Sequence, residues 1–596
     1  MSMTMGENLD PGLSRRKVPV LSVVLEAHLP FIRRCGGRGL AAQASPNDEG
    51  SPLDPQQSPG DVGSSFDGAC EPAGGLINNS VCGNVPGAEE IWFFEALSET
   101  YIPLLQVMDR LEGDHVPFRL GISFSPILCH LLEDELLLQK YLDYTDKQIE
   151  FGKNELDRTA GDPKLQKLAR MYYERAVERR IVFTERYGGN ILKVFDHYQR
   201  KGKIEILAAA ATHAFLPFYT SFPEAIQAQV EVGVSSYRNH FGKYPQGFAL
   251  PELGWTAGLD RILRSYNFGY TITETHSLVF GDPPASKGSF YPVKTPSAFF
   301  VIAREHYAEG DIAALMRSPV YRDNNEDAGY ELPPELVQAF LGANGVRRPT
   351  GCKYRCIGSN PAHPGDPLAG EKELYDPQRA AAQAAEDAHR FLDDRIRRLI
   401  SASQYMEEPP LCLCALDADT LGRYWYEGPQ FLEALFREGA SRREIQFMNP
   451  AEYLYKQDSA AFETVIPEYS SSGVNGYAEM WLDASNDWMY CHAIRAMDRM
   501  IELAERFPDD TGLKERSLNQ AAREILLVQT SDWPKMLYKQ ENADFARAQI
   551  EDALRNFTTI YEALGSNYIS TEWLTNLERR HNIFPHINYR VFRRKK

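Results

Sequence analysis

The stretch "GFALPELGW" covers residues 247–255. An apolar run reaches Pro251 and then stops on a single carboxylate, Glu252. The run is continuous rather than alternating, which predicts a parallel strand covered on both faces. Pro251 lacks a backbone N–H and restricts the residue before it, so the strand ends there. Glu252 then sits at the C-terminal end of a strand, the end where parallel α/β folds gather their functional groups. The plain alternative is a strand that stops and a glutamate that faces water.

Seven further aliphatic runs repeat the pattern, at 19–27, 116–123, 204–212, 270–275, 299–304, 411–417 and 444–448. Helical stretches lie between them, notably 129–156 and 376–405. Strand and helix alternating this often predict an α/β barrel or a large open sheet. Beyond residue 460 the pattern changes. Ile494, Met497, Ile501 and Ala504 mark one face of a helix starting near Asn486, and Leu518, Ala522 and Ile525 begin another. Four segments follow: a tail at 1–17, a barrel over 18–460, a helical insertion near 129–190 inside it, and a helical domain over 461–596. Residues 36–88 are rich in Gly, Pro, Ser and Asp, and read as a disordered insertion.

Bulk properties exclude several classes. The net charge is −18 with no dense basic run, which argues against nucleic acid and anionic membranes as partners. Nine sparse cysteines show no zinc-ligand spacing and no disulfide-scaffold density, so a cytoplasmic protein with reduced thiols is expected. Arg15-Arg16-Lys17 before "VPVLSVVLEA" mimics an export signal, but Glu26 and His28 interrupt it, and a buried first strand explains it better. No run approaches the roughly 18 apolar residues of a membrane helix. Thirty Tyr, thirty Phe and seven Trp supply surfaces that pack cores or stack on sugar rings.

The polar residues closing the runs collect at one rim: Glu26 and His28, Thr212 and His213, Glu252, Glu274 and His276, Arg304, and Asp417 with Asp419. A lone strand-end carboxylate is more often structural than catalytic; six strands ending this way make a stronger signal. Two rim carboxylates suit retaining glycoside chemistry, with one attacking the anomeric carbon and the other, its pKa raised, serving the leaving oxygen. Zinc chemistry is the rival, but "EAHLP" and "ATHAFLP" offer neither HxD nor HExxH.

In this order the strand ends resemble glycoside hydrolase family 57, and within it the α-1,4-glucan branching enzymes. "EAHLPFIRR" (26–34) is similar to an HxHLPY-type motif and "ATHAFLP" (211–217) to ATHGxLP. "GFALPELGW" resembles GxWLPECAY, "LDADTLGRYWYEGP" (416–429) resembles YDAELFGHWWxEGP, and "SSSGVNGYAEMWLDASNDW" (470–488) resembles SSWGxxGxxxxWLNxxNxW. The resemblance runs from residue 18 to the end, apart from 36–88.

It implies a distorted (β/α)7 barrel with a helical insertion and a helical C-terminal domain. It also implies an α-glucan substrate and a retaining double displacement with no cofactor and no metal. At matching positions Glu252 is the nucleophile and Asp417 the general acid/base. Arg304 and Asp532 match glucan-binding positions, His28 and His213 the subsite imidazoles, and Trp425 and Trp533 aromatic walls.

Several positions depart. Ala249 and Ser472 stand where the pattern has Trp, Arg423 and Glu26 where it has His. Arg317 falls near a binding glycine, and "YKQENADF" (538–545) lacks the usual TGT-like loop. Each lost platform removes roughly 1–3 kcal/mol, if sugars stack as bases do. Trp255 is placed to fill part of the space at Ala249. Arg423 near Asp417 is expected to lower the aspartate's pKa, and Glu26 to offset it by pairing with Arg423. The expected function is therefore α-1,4-glucan branching. The alternatives are a 4-α-glucanotransferase or amylase-like hydrolase, and a catalytically impaired glucan-binding protein.

Overall fold

A computed structural model describes residues 18–32, 87–342, 345–358, 372–566 and 568–595. The tail at 1–17 and nearly all of the 36–88 segment lie outside the described residues. Nine strands form one sheet: β1 (Val20–Ala27), β2 (Leu120–Phe124), β3 (Ile204–Ala209), β4 (Gly247–Ala249), β5 (Tyr270–Thr273), β6 (Val293–Lys294), β7 (Phe300–Ala303), β8 (Leu411–Asp417) and β9 (Gln446–Phe447). Their order is β6-β7-β5-β4-β3-β2-β1-β8, with β9 also on β1. Every pairing is parallel except the two-residue β6 against β7.

The seven strands from β7 to β8 curl into a barrel. Its two ends meet through a bond from the Glu305 N–H to the Leu413 carbonyl, 2.7 Å. Arg395, with no exposed surface, braces this seam by pairing with Glu305 at 3.2 Å and Asp311 at 2.6 Å.

The continuous apolar runs follow from this closure. Alternate residues fill the lumen, where Val20, Val24, Leu207, Ile272, Ile302 and Leu413 meet. The residues between them, such as Leu21, Val23, Ile206 and Val301, pack outward against the helices. Each such side chain contributes about 1.5–3 kcal/mol on full burial. At the floor, Glu205 accepts from the Tyr270 hydroxyl (2.7 Å) and the Ala451 N–H (3.0 Å). Burial pushes its pKa up to about 7.

The long helices Glu135–Arg158 and Pro163–Ile181 pair between β2 and β3, while Asp487–Arg506, Leu513–Val528 and Ala543–Ser566 form a helical layer after the barrel. The 129–156 stretch is two helices, Pro126–Leu131 and Glu135–Arg158, because Asp134 caps the second through Leu137 N–H. Asn486 precedes its helix without capping it. Its side chain instead ties Asp483 N–H to the Met480 and Pro534 carbonyls.

Candidate active site

The barrel rim is built by register. Glu26 of β1 lies directly opposite Asp417 of β8, which sets two carboxylates side by side at the mouth. Glu252 arrives by a different device. After β4 the chain passes extended Leu250 and Pro251, and Glu252 then adopts φ 54° and ψ 26°. Leu253 follows at φ 51°, and His213 at the end of β3 has φ 55°. Non-glycine residues in this region carry about 1–3 kcal/mol of strain and persist where surrounding structure holds them.

Here the holding is visible. Trp255 bridges to Ser470, which carries the 470–472 segment across Glu252. The Ser472 N–H then donates to the Glu252 carbonyl at 2.7 Å, and the Ser472 hydroxyl to Glu252 Oε2 at 3.2 Å. The helical layer supplies the other side. Ala214 bridges to Thr530, and the Ser531 N–H donates to the His213 carbonyl at 3.1 Å. This seats the helix Asp532–Lys539 over the mouth. Lys535 Nζ lies 3.3 Å from Glu252 Oε1, and its pKa is raised, chiefly by Glu252.

Two imidazoles stack beside these groups, with ring centroids 3.9 Å apart and planes within 8°. His28 bonds Asp532 Oδ2 at 2.7 Å and the Ser125 hydroxyl at 2.8 Å. His213 bonds Glu26 Oε1 at 2.7 Å and the Ser531 hydroxyl at 2.9 Å. All four ring nitrogens are thus engaged. Burial opposes charge on His213, but the Glu26 carboxylate overrides it and raises the pKa to about 9. Glu26 and Asp532 are both held below the usual carboxylate range, against burial, by His213 and His28 respectively.

Asp417 is exposed at the mouth yet ringed by protein. Removal of water, reinforced by the charges of Glu26 and Glu252, pushes its pKa up to about 6, against Lys535 and the Asp419 N–H at 3.0 Å. The expectation that Arg423 depresses Asp417 is therefore corrected. The guanidinium pairs instead with Asp419 at 3.3 Å and Glu95 at 3.5 Å. Glu26 does not act by pairing with Arg423: its carboxylate is taken by His213, and its charge raises the Asp417 pKa directly.

Glu252, Asp417, His28, His213 and Asp532 thus share one electrostatic cluster. Arg304 does not join it. That side chain is bound to Glu274 at 2.6 Å and Glu309 at 2.8 Å, and no ion pair among the described residues links it to Glu252 or Asp417. The two expected aromatic walls are corrected as well. Trp425 and Trp533 are each 1% exposed. Trp425 packs between Tyr321 and Phe431, and the Trp533 indole N–H donates to the Leu527 carbonyl. Neither ring has a free face for a sugar.

Trp255 is also buried, its N–H on the Pro467 carbonyl at 3.2 Å. It packs in the outer core, whereas Ala249 borders the lumen, so it does not fill the space at Ala249. Tyr424 is an open ring near this rim, 53% exposed, with the Arg423 guanidinium carbon 5.2 Å from its ring centre.

Sequence reasoning missed Lys535, Ser531 and Tyr424, and read Ser472 only as a loss. One signal for Lys535 was present: it lies three residues after Asp532 on the same helix face. Among the described residues no group of three or more His, Cys, Asp or Glu could hold a metal, and no helix is long and apolar enough to cross a membrane.

Comparison with known proteins bears on this arrangement. The family described as glycosyl hydrolase family 57 matches residues 79–316, and the 1,4-alpha-glucan branching enzyme C-terminal family matches residues 492–592. A 1,4-alpha-glucan branching enzyme of Thermococcus kodakarensis is 26% identical over 524 residues, 84% of this chain and 75% of that one. The crystal structure of an alpha-amylase from Thermotoga maritima superposes with a TM-score of 0.82 at 30% identity, covering 97% of this chain and 100% of that one. A branching enzyme from Pyrococcus horikoshii shares the fold, with a TM-score of 0.79 at 23% identity over 97% of both chains. With the barrel, the rim carboxylates and the docked helical layer all in place, the chain belongs to glycosyl hydrolase family 57.

Proposed function

We propose that the chain is a retaining α-glucan transferase that cuts an α-1,4 link and re-forms it as an α-1,6 branch. The observation that carries this reading is the contrast within the carboxylate pair. Asp417 ends β8 opposite Glu26, with its pKa pushed up to about 6, and Glu252 lies 3.3 Å from the Lys535 ammonium. In the first step Asp417 protonates the leaving glycosidic oxygen while a Glu252 oxygen attacks the anomeric carbon, giving a glycosyl ester. In the second, Asp417 takes the proton of an acceptor 6-hydroxyl, which displaces Glu252.

His28, His213 and Asp532 line the donor subsite in this reading, and Tyr424 offers the acceptor a stacking face. Arg304 contacts glucan only by exchanging Glu274 or Glu309 for it. A role in glycogen-type synthesis in the cytoplasm belongs to the same proposal; the six described cysteines are free thiols, as a reducing compartment allows. Branching is favoured by the match of residues 492–592 and by the curated relative.

The second reading, hydrolysis, has its own support in the 30% identical alpha-amylase. Amylose incubated with the protein separates them: new α-1,6 anomeric protons by NMR support branching. Reducing ends without branch signals support hydrolysis, and no change in either, with Glu252→Gln behaving identically, overturns both.

A further inference from the structure

Behind the rim lies a separate cavity of about 220 Å³, between the helix Pro163–Ile181, the π-helical turn Ala96–Tyr101 and the helix Gly428–Ser441. Its lining carries three arginines, Arg110, Arg175 and Arg179, and three carboxylates, Glu95, Glu99 and Glu178; Arg110 is paired outward with Glu433 at 2.7 Å. Arg175 and Arg179, one turn apart on a single helix face, both line it. Neither has a carboxylate within 4 Å among the described residues: Arg175 bonds the Tyr426 hydroxyl, and Arg179 Nη2 the Gln148 side chain at 3.1 Å. Two like charges at this spacing repel, and Glu99, whose carboxylate Arg179 helps hold ionised, answers one of them at longer range.

Three carboxylates also reach the wall, and each is engaged. Glu99 is doubly bonded by Arg322 at 2.8 and 3.0 Å, Glu178 takes the Gln106 amide at 3.1 Å, and Glu95 pairs with Arg423. Two polar atoms of the lining are buried without any partner: Arg179 Nε, a donor, and Gln430 Oε1, an acceptor. The two belong to the lining of one cavity, one a donor and the other an acceptor, so a ligand carrying an acceptor and a donor would pair both.

We infer that this cavity binds a small phosphorylated sugar. The Arg175 and Arg179 guanidiniums take the phosphate, as planar forks suit tetrahedral oxyanions. Gln430 Oε1 takes a sugar hydroxyl, which is a donor.

The test is isothermal titration of the full chain with glucose 6-phosphate, inorganic phosphate and neutral maltose. Glucose 6-phosphate is expected to bind, phosphate more weakly, and maltose not at this site. Arg179→Gln should weaken glucose 6-phosphate by about tenfold or more, the equivalent of one charge-assisted hydrogen bond. Arg179→Lys, which keeps the charge but not the fork, should fall between. Gln430→Leu should weaken glucose 6-phosphate and leave phosphate unchanged, and it guards against misfolding of the arginine variants. Bound ligand should slow hydrogen exchange in the Ala96–Tyr101 turn.

Four results would each overturn the inference. They are no binding of glucose 6-phosphate, maltose binding that is weakened by the same three substitutions, affinity for glucose 6-phosphate unaltered in all three variants, and protection confined to the barrel mouth. Equal affinity for phosphate and glucose 6-phosphate, with Gln430→Leu silent, would reassign the occupant to free phosphate and overturn the sugar.

Discussion

The strand-end rim and the segment from Ser470 to Lys535 meet at one mouth but contribute different things. The rim brings the carboxyl groups proposed to react, Glu252 in the turn after β4 and Asp417 at the end of β8, together with the two stacked imidazoles. The later segment brings groups that set charge and hold strain: Ser472 and Lys535 on Glu252, and Ser531 and Asp532 on the two imidazoles. A barrel rim alone would leave three carboxylates, Glu26, Glu252 and Asp417, gathered at one mouth with no lysine among them. The helical layer makes that concentration of negative charge tenable, so its docking belongs to the chemistry as well as to stability.

If this division is right, removing a reacting group should cost most. Glu252→Gln is expected to reduce turnover of amylose roughly 10⁴-fold or more, and Asp417→Asn by about 10²–10⁴-fold, with both variants folded by circular dichroism. Altering the charge from the helical layer should cost less and move the pH profile. Lys535→Met removes the cation that pulls the Asp417 pKa down. The basic limb of kcat, expected near 6 in the native protein if Asp417 is the acid, should therefore move to higher pH, while kcat/KM falls. A basic limb that stays put would break the assignment of Asp417 as the acid.

Neighbouring rings sharpen the comparison further. Tyr424→Ala should raise KM roughly tenfold, because one stacked ring is worth about 1–3 kcal/mol. Trp425→Phe should lower the melting temperature and leave KM unchanged, since its ring is core. The smallest effect concerns pH and stability. The folded-state pKa of His213 is about 9, above the ordinary 6.5, so its contribution is fully present below about pH 6.5 and lost as pH climbs through 9. Melting temperatures should decline over that window, and Glu26→Gln should flatten the decline.

The fold was largely legible because its strands are buried on both faces. All eight aliphatic runs contain a strand, from Val20–Ala27 to Gln446–Phe447. β6 escaped because two residues carry no pattern. In the site, Glu252 and Asp417 were readable from position, as strand ends. Their surroundings were not. Lys535 sits in "DWPKMLYK", where lysine reads as a solvated helix residue, and the Ala214–Thr530 bridge with the Ser531–His213 bond turns that helix over the mouth. Ser472 read as a missing Trp, although its hydroxyl reaches the glutamate. Arg423, one turn beyond Asp419, reaches that carboxylate and Glu95 rather than Asp417. Trp425 and Trp533 looked exposed by resemblance, but helices cover both.

The account rests on Glu252 as the group that bonds to the sugar. A 5-fluoro-α-maltosyl fluoride forms the glycosyl-enzyme readily and releases it slowly, so mass spectrometry of the digested protein can locate the bond. The account predicts one added glycosyl unit on the peptide bearing Glu252, absent in Glu252→Gln. A label on Asp417, on Glu26 or on no residue while the protein turns over amylose would contradict it.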